Sequence, residues 1–162
     1  MGNYIPKYMN KTKIKYLLRE ALIDNPFDPN NPDYKDAWLN HGGGNDEDTW
    51  EEYNGLGNIK RHIEKIKSLK FPLKIYRGLN IEKPEDFIQS GNLENLDGTS
   101  WTTDLDMAKK FSQGKYVVTA ILQKDNIDWK RTIERNIMHS ALDESEINVL
   151  NPMKLKIISI KN

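Results

Sequence analysis

The chain of 162 residues contains no cysteine. Disulfides, thiolate zinc sites and cysteine nucleophiles are therefore excluded. Histidine is scarce: His41, His62 and His139 are far apart, with no metal-ligand spacing, so no metal is expected. Net charge is also missing, because 24 Lys and Arg balance 24 Asp and Glu. No global field draws in nucleic acid or an anionic membrane. No apolar run approaches the ~20 residues that cross a bilayer. The N-terminal lysines are not followed by an apolar core of signal-peptide length, which makes the cytosol of the producing or infected cell the expected location, with leaderless export left open. Repeats and low-complexity tracts are absent as well. What is present is a very polar chain, 30% charged and 37% hydrophobic, with enough length for one domain and a real core.

Residues 1–10 read as an arm. Ile14, Leu17, Leu18, Ala21 and Leu22 then recur at helical spacing, and Asn25-Pro26 stops that helix. A short helix capped by Asp33 is expected through Leu39. His41-Gly42-Gly43-Gly44 resembles the oxyanion loop of lipases, but no Gly-x-Ser-x-Gly elbow accompanies it, so it reads as a linker. Asp46-Glu47-Asp48 lacks the rest of a calcium loop and reads as an acidic helix start. Leu56, Ile59, Ile63, Ile66 and Leu69 form the buried stripe of a helix over 49–69, with a break expected near Gly57. Gly55-Leu56-Gly57 follows no strand and lacks a third glycine, so it is not a dinucleotide fingerprint.

After Pro72 the texture changes to alternation. Strands are predicted over 73–79, 98–102 and 115–123, with a weaker one through Ile127, Trp129 and Ile133. The last two, 146–150 and 155–160, are expected to form a hairpin at Asn151-Pro152. Short helices are predicted over 84–89 and after Thr103 or Asp104, the second carrying Leu105, Ala108 and Phe111. This segregation predicts a single α+β domain: a helical lobe over 1–70, then a mostly antiparallel β-sandwich with short helices over 71–162.

Three polar groupings stand out in the second half. Arg77 sits in a strand between Tyr76 and Gly78. Ser100 and Thr102 are two apart on another strand and share a face. Glu144 and Glu146 are two apart at the start of a third, so strand alternation would put both carboxylates on one side. Read alone, each has a plain alternative: a strand-end cation, strand filler and a solvated strand end.

The order of the three groupings and their surroundings resemble the Arg-Ser-Glu class of mono-ADP-ribosyltransferases, found among bacterial toxins, bacteriophage proteins and vertebrate ectoenzymes. The segment from Pro72 to Leu79 is similar to that family's arginine strand. Ser100-Trp101-Thr102, with Ala108 and Phe111 downstream, keeps the spacing of its Ser-Thr-Ser strand and following helix. Glu144-Ser145-Glu146 and the run to Leu155-Lys156-Ile157 is similar to its catalytic hairpin. The likeness covers about residues 50–160. It departs at Trp101, which stands where a small residue is usual and is expected to point away from the cleft, and in the loop before Glu144.

The resemblance implies an ADP-ribosyltransferase-like fold, with NAD as co-substrate and a target protein, of a bacterial host or prey cell, as partner. It implies that Glu146 stabilises an oxocarbenium-like transition state through the ribose 2′-hydroxyl. Arg77 would bind phosphate, backbone at Gly78 would hold the nicotinamide amide, Ser100 would position Glu146, and Thr102 and Phe111 would complete the NAD site. Glu144 would pair with the guanidinium of an acceptor arginine. Two alternatives stand beside this reading, an NAD glycohydrolase and a non-catalytic binding module on the same fold. The neutral charge argues against nucleic acid as acceptor. His139 reads as an incidental loop residue.

Overall fold

The computed structural model describes residues 25–42, 47–83, 100–140 and 143–162. The helices predicted over 12–22 and 84–89 lie outside these residues. Among those described, helices α1 (Pro32–Ala37), α2 (Glu47–Glu52) and α3 (Gly55–Lys67) precede strand β1 (Leu73–Leu79). Then follow β2 (Ser100–Thr102), α4 (Leu105–Ser112), β3 (Tyr116–Leu122), α5 (Trp129–Met138), β4 (Glu146–Asn148) and β5 (Lys156–Lys161). The five strands form one antiparallel sheet in the order β4-β2-β1-β3-β5. The fold is α+β. No described helix is long and apolar enough to cross a membrane.

Local chemistry explains the helix ends. Asn31, not Asp33, caps α1, accepting from the Asp33 N–H at 3.0 Å, and α1 runs on into a π-helical turn over Trp38–Gly42. The break before α3 falls at Asn54, ahead of Gly57. Asn54 adopts the left-handed conformation (φ 49°) and its side chain accepts from the Gly57 N–H. Asp104 caps α4, taking N–H groups of Asp106 and Met107 at 2.8 and 3.1 Å.

Two apolar clusters hold the molecule together. One belongs to the sheet and includes Ile75, Trp101, Val118, Leu122, Ile127, Ile147, Val149 and Leu155. The other gathers Tyr34, Trp38, Ile59, Ile63, Ile66, Ile133 and Ile137. Within it the Trp38 and Trp50 rings meet edge to face at 5.3 Å. Leu69 and Trp129 pack against both clusters and join them.

Three further sequence expectations are corrected. The weak strand through Ile127, Trp129 and Ile133 is an isolated bridge at Ile127, paired with Val149, followed by α5. Asp128 caps this helix, and Ile133 and Ile137, four apart, bury into the helical cluster. The helical layer therefore draws one of its members from the second half of the chain. The predicted hairpin does not form, because β4 and β5 lie at opposite edges of the sheet. A 3-10 turn over Pro152–Lys154 takes the chain from one edge to the other. Finally, the described strands make one sheet and not a two-sheet sandwich. Ile147 and Val149 near one edge and Leu155 near the other belong to a single apolar cluster.

Candidate active site

A cleft of about 280 Å³ opens beside β1, β2 and the start of β4. Its walls include Arg77, Gly78, Ser100, Thr102, Phe111, Glu144 and Glu146. Every site residue singled out from the sequence thus lies on one cleft, joined there by Tyr76 and Trp101. The Trp101 side chain is buried in the sheet core, 3% exposed, as expected for a residue alternating with Ser100 and Thr102.

Sheet register brings these residues together. Tyr76 on β1 is opposite Thr102 on β2, and Thr102 is opposite Glu146 on β4. Arg77 donates through Nη1 to the Ser100 carbonyl at 2.8 Å, which fixes the guanidinium to the neighbouring strand. The Ser100 hydroxyl donates to Glu146 Oε1 at 2.6 Å. The Asn148 amide donates to the same oxygen at 3.1 Å. Glu146 is only 8% exposed, and a buried carboxylate needs such donors.

Gly78 also has a packing role. A Cβ there would stand 2.1 Å from the Ala108 carbonyl oxygen and 2.5 Å from the Ser112 nitrogen. The absent side chain lets α4 lie against β1, and that contact carries Phe111 to the cleft rim, where it is 51% exposed.

Glu144 reaches the cleft by a different route from strand alternation. It precedes β4, between Asp143 (φ 44°) and Ser145 (φ 48°), both left-handed. Two such residues around one glutamate are costly for non-glycine side chains, so tertiary contacts must hold them. Thr102 Oγ1 donates to the Glu144 carbonyl at 2.7 Å, and the Thr103 N–H donates to the Ser145 carbonyl at 3.2 Å. Lys65 of α3 pairs with Asp143 at 2.8 Å and holds its carboxyl below the usual carboxylate range.

Helix α5 supplies what the sequence reading missed. Thr132, Asn136 and His139 follow at i, i+4 and i+7, one helical face. Thr132 Oγ1 accepts the Asn148 N–H at 2.9 Å, and the Asn136 amide donates to the Glu146 carbonyl at 2.6 Å. His139 Nδ1 lies 3.1 Å from Glu144 Oε2 and 3.4 Å from Glu146 Oε2. The helical spacing of these three was the available signal, hidden by reading the segment's start as a strand. His139, Glu144 and Glu146 also form a group able to ligate a metal ion, with ligand atoms all within 4.8 Å of one another.

No protein-family model, curated protein or solved structure matches the chain.

Proposed function

We propose that the protein is a mono-ADP-ribosyltransferase that transfers ADP-ribose from NAD to an arginine of a target protein. The observation that carries the reading is the single cleft in which a fixed guanidinium, a serine-bound buried carboxylate and a second carboxylate converge. That set suits cleavage of an N-glycosidic bond at a ribose. The bond from C1′ to the nicotinamide nitrogen breaks, and nicotinamide leaves with the electron pair. Positive charge spreads over C1′ and the ring oxygen.

Glu146, with Oε1 held by Ser100 and Asn148, keeps a fixed negative charge beside that centre, and a preorganised charge in a partly dry site costs no rearrangement during the reaction. Arg77 meets phosphate, and Phe111 offers an apolar face to a flat ring. At about 280 Å³ the cleft is slightly smaller than the roughly 300–1,000 Å³ of small-molecule sites, which suits one end of the dinucleotide and not the whole of it. The adenosine end would lie across the open rim. Glu144 pairs with the acceptor guanidinium and takes up its proton as the new C1′–N bond forms.

Labelled NAD, incubated with the protein and a bacterial lysate beside Glu146→Gln and Glu144→Gln, tests the reading by mass spectrometry. Label on arginine that disappears in both variants supports it. Free nicotinamide and ADP-ribose without labelled protein would make the protein a glycohydrolase. Absence of NAD binding by calorimetry would leave a non-catalytic module.

A further inference from the structure

We propose that His139 is a positioning residue that sets the choice of acceptor, by holding the Glu144 carboxylate where an arginine side chain meets it. The inference rests on the transferase reading above. His139 does not line the cleft; its Nδ1 lies beside the two carboxylates that do. Its Nδ1 is a buried atom within ion-pair distance of both Oε2 atoms, 3.1 Å from one and 3.4 Å from the other, and a small turn of the ring or of either carboxylate would align it with one of them. In the tautomer that carries its hydrogen on Nδ1, the imidazole offers that N–H to the carboxylates.

The two glutamates depend on this contact unequally. Glu146 keeps Ser100 and Asn148 on its other oxygen whether or not His139 is present. For the Glu144 carboxylate, His139 is the one side chain within ion-pair distance among the described residues. The imidazole is itself well placed to act as an anchor. His139 caps the C-terminus of α5, its N–H donating to the Arg135 and Ile137 carbonyls. The two preceding residues on the same helical face, Thr132 and Asn136, are tied to the β4 backbone. One rigid helix therefore sets both the height of Glu146 and the direction of Glu144.

The consequence falls on the second half of the reaction. Once nicotinamide has left, C1′ can bond to an arginine nitrogen or to water oxygen, each losing a proton. A guanidinium must be oriented to attack, and a carboxylate held at one point does this. Water needs no such orientation. Losing the anchor shifts the outcome from transfer toward hydrolysis while leaving NAD cleavage largely in place.

The test uses the whole chain, labelled NAD and agmatine as a small guanidine acceptor. Wild type, His139→Ala and His139→Asn are compared for labelled agmatine against free ADP-ribose, with KM for each substrate and a melting temperature. His139→Ala is expected to lower the transfer-to-hydrolysis ratio about tenfold, the effect of one lost contact to a charged group, and to raise KM for agmatine but not for NAD. His139→Asn, whose amide nitrogen falls near the place of Nδ1, is expected to restore most of the ratio. An unchanged ratio in His139→Ala, or equal loss of transfer and nicotinamide release in both variants, would overturn the positioning role while the transferase reading stands. Wild type that cleaves NAD but leaves agmatine unlabelled would also overturn it. Wild type that neither binds nor cleaves NAD would overturn the transferase reading, and this inference with it.

Discussion

At one edge of the sheet all three residues of β4 are buried; at the other, β5 leaves Lys156, Ile157, Ile158 and Lys161 exposed. Both strands face the same problem, since an edge presents unpaired backbone groups to any passing strand. On β5, lysines near both ends discourage such pairing, and among the described residues no further strand pairs with it. On β4 the outward groups are covered from within the molecule. The Glu146 carbonyl takes the Asn136 amide, the Asn148 N–H donates to Thr132, and the Asn148 carbonyl accepts from the Asp128 N–H. Covering an edge with helix side chains also fixes its backbone. That rigidity is what a buried carboxylate at the end of the strand requires, and it explains why the candidate site lies at this edge and not the other.

The sharpest way to break the comparison is to exchange a charge on each edge. Glu146→Gln is expected to cut nicotinamide release on the order of a hundredfold or more, as removal of a preorganised transition-state charge does. The melting temperature should hold. Lys156→Gln, the matching loss of charge on β5, should leave the rate as it is. On the transferase reading proposed above, nicotinamide release that survives Glu146→Gln would remove the functional distinction between the edges.

The helix cover gives the next largest effect. Thr132→Val keeps the shape but leaves the buried Asn148 N–H without its acceptor. The expected loss is about 1–3 kcal/mol, seen as a melting temperature lower by several degrees, with activity falling because β4 is loosened. If denaturation shows no change, side chains of α5 are not what secures the edge.

A smaller effect separates the two edges by pH. His62, on α3 close to the Lys65–Asp143 pair that holds the loop before β4, has its pKa pushed below 6.5, first by burial and then by Arg61 and Lys65. A lowered folded-state pKa means that the unfolded chain takes up the proton first. Stability is therefore full above 6.5 and declines as pH falls from there toward the folded-state value. Melts at about pH 7.5 and about 5.5 should show a fall that His62→Gln reduces, the two conditions bracketing an ordinary histidine. Equal falls in both proteins would place the acid sensitivity elsewhere. Smallest of all, Ile158→Thr on the exposed side of β5 should change stability by no more than about 0.5 kcal/mol.

Much of this architecture was readable along the chain, and where it was not the cause is physical. The stripe Ile59, Ile63 and Ile66 announced α3, and the alternation from Leu73 to Leu79 announced β1, because each pattern repeats within a few residues. The weak strand at Ile127 failed because β-branched residues at helical spacing satisfy both templates over so short a run. Asp128 as a cap and the pair Ile133 and Ile137 tip that balance only once the helical cluster is there to receive them.

The candidate site divides the same way. Arg77-Gly78, Ser100 with Thr102, and Glu144 with Glu146 are short patterns whose chemistry is local, so linear order was sufficient to single them out. Their convergence rests on contacts between distant positions: Ser100 with Glu146, 46 residues on, and Arg77 with Ser100, 23 on. The reason Gly78 must be glycine, the left-handed turns around Glu144 and the approach of His139 follow from how α4, β2 and α5 pack. Local sequence sets which groups a segment can offer. Pairing, register and the face that a helix turns inward depend on burial shared across the whole molecule, and only the folded chain settles those.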